Sequence, residues 1–132
     1  PCLLSSLLTG VSVVAAARRG LFVPFGVGPL CVLLSSIFYW RDPVKDSLRR
    51  AIDVTTVRIG LAAQVVLAIT YCSPRHVALP KLALGYALGM LCYAGGRILT
   101  VRGRLWAGAC VHCGVHLFAN LGNLLILPYA SL

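Results

Sequence analysis

The sequence predicts an all-α, multi-pass transmembrane helical bundle of about five spans, four if the first is too short to cross. Three observations predict it. Hydrophobic residues make up 59% of the 132-residue chain and charged residues only 11%, whereas soluble domains carry about a quarter charged residues. Apolar runs close to the ~20 residues that cross a bilayer recur along the chain. The basic residues stand in short clusters between those runs, where Lys and Arg meet lipid headgroups and oppose translocation.

The expected spans are 2–17, 21–40, 48–72, 81–100 and 105–127, in one domain. The first is short and ends at Arg18 and Arg19, and the chain opens on Pro1 rather than Met, as after removal of a presequence or in a fragment of a longer chain. The second carries Pro24 and Pro29, which should kink its first half or place it outside regular helix. Before the third, Asp46 or Ser47 is a candidate N-cap, since a short polar side chain accepts a free backbone N–H there. Turns fall at Ser73 to His76 and Thr100 to Arg104, and Pro128 closes the fifth span. No stretch alternates with period two, so a β-barrel is not expected.

Twelve basic against three acidic residues give a net charge of +9. Because the basic residues punctuate apolar runs instead of forming one patch, nucleic acid is not an expected partner. The loops after the second and fourth spans hold Arg41, Lys45, Arg49, Arg50, Arg97, Arg102 and Arg104, against Arg18, Arg19, Arg75 and Lys81 after the first and third. The positive-inside rule then places the N-terminus inside. The six cysteines mostly sit in apolar runs and read as small packing residues, the C-x-x-C of Cys110 and Cys113 included.

Polar side chains at membrane depth are expensive and usually face a partner, water or a ligand. In the fifth span His112, His116, Asn120 and Asn123 fall within an arc of about 80°. This stripe suits either a ligand (pigment, metal or lipid headgroup) or hydrogen bonding to a neighbouring helix. In the third span Asp53 and Gln64 share a face, while Arg58 points elsewhere; Arg49 and Arg50, one turn earlier, are candidate partners for Asp53. Gly85 and Gly89 form a G-x-x-x-G in the fourth span, bordered by Tyr86 and Tyr93, and suit close helix packing. His112 and His116 are the candidate metal ligands, but zinc takes three or four and the remaining histidine, His76, falls in a loop; no Glu exists to serve as a base. Zinc is therefore not expected, whereas a tetrapyrrole could be ligated by one His or Asn.

Ser35 and Ser36, then Asp53, then His112-x-x-x-His116 resemble the Ser, Asp and paired-His pattern of the ceramidase and progestin-receptor-like membrane hydrolases. That resemblance implies a zinc-dependent lipid hydrolase. In those seven-span proteins a third histidine ligand stands in the segment that here reads Ile37-Phe-Tyr-Trp-Arg, which has no His. No catalytic set is read from the residues. The leading expectation is a non-catalytic accessory subunit of a larger complex in an energy-transducing membrane, mitochondrial inner or thylakoid, touching other membrane subunits and lipids. A lipid hydrolase and a small carrier or channel are the alternatives.

Overall fold

The computed structural model describes residues 2–44 and 47–131. Pro1, Lys45 and the N-cap candidate Asp46 lie outside the described residues. The chain is an integral membrane bundle of α-helices, and no strand occurs among the described residues. The helices are α1 (Cys2–Ser6), α2 (Thr9–Arg18), α3 (Val27–Trp40), α4 (Leu48–Tyr71), α5 (Arg75–Val101) and α6 (Leu105–Ile126). A π-helical turn, Phe22–Gly26, leads into α3, and a 3-10 turn, Leu127–Tyr129, closes α6.

Among the described residues four segments are long and apolar enough to cross a membrane: Phe22–Trp40, Leu48–Tyr71, Arg75–Val101 and Leu105–Tyr129. The segment 2–17, expected as the first span, is instead two short helices broken at Leu7 and Leu8. The Ser5 and Ser6 hydroxyls bond back to the Cys2 and Leu3 carbonyls, and tight three-residue bonds follow at Leu7, Leu8 and Gly10. Serine offers the backbone an alternative to the helical ladder. The broken segment nonetheless runs alongside α6 and in the same direction. Cys2 meets Ala109, Ser12 meets Asn120, and Arg19 meets the Leu127 carbonyl.

Proline sets two further boundaries. Pro24 lies in the π-helical turn and Pro29 in the first turn of α3, as the kink expectation required. By contrast α5 starts at Arg75, six residues before the expected start at Lys81, with Pro80 inside it. The carbonyl that Pro80 leaves without a donor belongs to His76 in the exposed first turn, where water can satisfy it. Ser47 is the N-cap of α4 and accepts from the Arg50 N–H at 3.3 Å. The C-termini of α4 and α6 are tied by an antiparallel bridge: Ser73 N–H donates to Tyr129 O and Ser131 N–H to Tyr71 O.

The tightest packing joins α5 to α6. Gly85, Gly89 and Gly96 of α5 oppose Gly122, Val115 and Gly108 of α6. Small residues let backbones close to contact, which in lipid replaces the hydrophobic drive as the source of helix association. A Cβ at Gly85 would lie 2.7 Å from both the Phe118 carbonyl oxygen and the Gly122 Cα, whereas one at Gly89 would lie 3.6 Å from its nearest neighbour. Gly85→Ala should therefore lower thermal stability in detergent by about 1–3 kcal/mol, and Gly89→Ala should be much milder. Equal effects in a thermal melt would contradict this reading of the interface.

Candidate functional site

The α5-facing side of α6 is defined by Gly108, Val115 and Gly122. The polar stripe lies next to it around the helix, turned toward α3 and α4. His116 and Asn120 are buried, and His112 and Asn123 are half-buried. Asp53 and Gln64 project from α4 and are buried too. All six line one cavity of about 140 Å³, bounded by α2, α3, α4, α5 and α6. Its walls are otherwise mostly apolar, with Val32, Val54, Val57 and Leu61 among them. From His112 to Asn123 the lining extends about 16 Å along α6.

Asp53, Gln64, Asn120 and Asn123 each have an identifiable hydrogen-bond anchor. The Asp53 Oδ1 accepts hydrogen bonds from Ser36 Oγ at 2.7 Å and Ser35 Oγ at 3.0 Å. Two hydroxyls stand in for the water the carboxylate would otherwise bind. The expected pairing of Asp53 with Arg49 is not what forms. Arg49 pairs with Asp42 at 3.3 Å and lies over the Phe38 ring. Helical side chains lean toward the N-terminus, so Arg49 reaches the loop and leaves Asp53 to the serines of α3. Arg50 is half-buried in the first turn of α4, and Arg58 is exposed on the outer face of the bundle.

Asn120 fixes the broken N-terminal segment to α6. Its Nδ2 donates to Thr9 Oγ1 at 3.1 Å and to the His116 carbonyl at 2.6 Å, and its Oδ1 accepts from Ser12 Oγ at 2.8 Å. Asn123 accepts from the Tyr86 hydroxyl at 2.9 Å. Tyr86, expected as part of a packing ridge, thus also lines the cavity. Gln64 donates through Nε2 to the Phe25 carbonyl at 3.4 Å. That carbonyl would ordinarily take its fourth-following N–H, but Pro29 stands there and has none. His112 is boxed by aromatic rings: Trp40 at 5.4 Å, Tyr93 at 6.0 Å and His116 at 5.8 Å between centroids.

Two buried atoms in this lining have no hydrogen-bond partner among the described residues. They are Gln64 Oε1 and His116 Nε2, on residues only 2% and 8% exposed. A buried polar atom without a partner costs about 1–3 kcal/mol, so such atoms ask for an explanation, and here both belong to residues that line a cavity.

The residues do not fit a zinc site. Among the described residues no three His, Cys, Asp or Glu side chains come together as a ligand set. His76 is exposed in the first turn of α5. In the segment where ceramidase-like hydrolases carry their third imidazole, Trp40 packs on His112 instead. Cys110 is exposed, and Cys113 donates to the Ala109 carbonyl one turn back. At the end of α4, burial pushes the Cys72 thiol pKa up from its ordinary value, which suits a packing role. No protein-family model, curated protein or solved structure matches the chain.

In the sequence the stripe and the Asp53–Gln64 face stand as separate groups, joined only in the carrier or channel alternative, which lines a path with Asp53, Gln64, His112 and Asn120; the structure brings both groups to one cavity. Sequence reasoning missed Thr9, Ser12 and Trp40, whose own segments carry no signal for these contacts. Asn120→Ala should detach α2, leaving Thr9 and Ser12 without their amide, and lower stability by about 0.5–2 kcal/mol. Thermal unfolding in detergent should show this loss exceeding that of Asn123→Ala, which removes one hydrogen bond.

Proposed function

We propose that this protein is a non-catalytic membrane protein that holds the polar end of a small amphipathic, lipid-like molecule in its central cavity. The observation that carries the reading is a pair of buried atoms without a partner among the described residues, Gln64 Oε1 and His116 Nε2, on two side chains that line one cavity. Ligand sites are commonly apolar pockets with a few converging polar groups. Gln64 Oε1 and the Asp53 carboxylate are both acceptors, so the fitting ligand group carries hydrogen-bond donors. Apolar walls suit the chain of a lipid or the ring of a pigment. A cavity of about 150 Å³ is large enough for a single six-membered ring, so the ligand would enter by one end only.

A different observation favours a second reading, that the chain is a subunit of a larger membrane assembly. Arg58, a charge in the middle of a membrane helix, is exposed on the bundle's outer face. A neighbouring subunit would cover it.

Native mass spectrometry of protein extracted in mild detergent tests the first reading. The wild-type chain should retain a bound molecule of lipid or pigment mass. The double variant Gln64→Leu/His116→Leu should lose it while keeping its helical circular dichroism. A wild-type spectrum with only unspecific lipid adducts, matched by the double variant, would sink the proposal.

A further inference from the structure

Arg58 lies ten residues after Leu48 and thirteen before Tyr71, the two ends of α4. At the helical rise its Cα is therefore about 15 and 20 Å from those ends, close to mid-depth. An arginine there costs about 2.5–3.5 kcal/mol on insertion scales, and more by other measures, unless it is paired. Among the described residues the one ion pair is Arg49 with Asp42.

The surroundings of Arg58 suit a helix. Ala51, Thr55 and Ala62 are exposed and fall within about 60° of it around α4. These small residues would let a second backbone approach closely, and the guanidinium in their midst fixes the chemistry of what approaches. Among the described residues the chain has no suitable acid: Asp42 is paired with Arg49, and Asp53 is buried and bonded to two serines. A second copy packed symmetrically through this face would set Arg58 against Arg58, and like charges repel strongly away from water.

We propose that the Arg58 face of α4 docks on a transmembrane helix of a different membrane protein, one that carries an Asp or Glu at matching depth. The inference rests on the assembly reading and is independent of the cavity.

The test places a photo-crosslinking amino acid at Ala62 in the full chain, in its native membranes. Irradiation should join it to a membrane span of another protein, with an Asp or Glu within one turn of the crosslinked residue. Arg58→Gln should cut the yield about tenfold, equivalent to about 1.4 kcal/mol, and Arg58→Lys should retain part of it. Reversing both charges, Arg58→Glu with Arg in place of the partner's acid, should restore the crosslink. The thermal midpoint of isolated Arg58→Gln should match wild type, separating lost docking from lost folding. Crosslinking to lipid alone would overturn the proposal, because Arg58 would then be reaching a headgroup phosphate. A protein crosslink indifferent to Arg58 would overturn it too, yet leave the assembly reading standing. If the chain also runs alone on native gels, both fall.

Discussion

The contact on which the arrangement depends is the backbone-to-backbone approach of α5 and α6. In lipid there is no hydrophobic gain from pressing two apolar helices together, so packing must come from shape. Gly85 against Gly122 and Gly96 against Gly108 supply that shape. Once this side of α6 is committed to α5, its rotation is set. The adjacent arc, carrying His112, His116, Asn120 and Asn123, must then face α3 and α4. The polar lining is thus a consequence of where the glycines are, and the same rotation brings Tyr86 and Tyr93 of α5 to its edge.

Much of this architecture was legible in the sequence because membrane helices obey few rules. Length and hydropathy gave the long helices, and Pro24 and Pro29 marked the irregular entry to α3. The failures have local causes. The segment 2–17 reads as one apolar run because composition does not register that Ser5 and Ser6 will bond their own backbone. The helix α5 begins before the apolar run that marks its span, because its first turn is polar and exposed, and a proline near an exposed N-terminus costs little.

The candidate site was legible in its parts and not in its assembly. A single helix reveals its own polar face, so the α6 stripe and the Asp53–Gln64 face were both visible. That the two meet depends on α3 and α4 packing across from α6, which no single-helix periodicity encodes. Arg49 and Arg50 looked like partners for Asp53 by spacing alone. The direction in which helical side chains lean, and two serines on another helix, sent Asp53 elsewhere. The assignment of Trp40 to the surroundings of His112 likewise required the third dimension.

Pro29 has a consequence that reaches beyond its own helix. Lacking an N–H, it leaves the Phe25 carbonyl to be answered by the Gln64 amide. Only the nitrogen of that amide can donate to a carbonyl, so the amide is held in one orientation and its oxygen is left buried without a partner among the described residues. One ring closure in α3 thereby decides the polarity of a side chain on α4. It makes this end of the cavity electron-rich and selects against guests that could offer only lone pairs of their own.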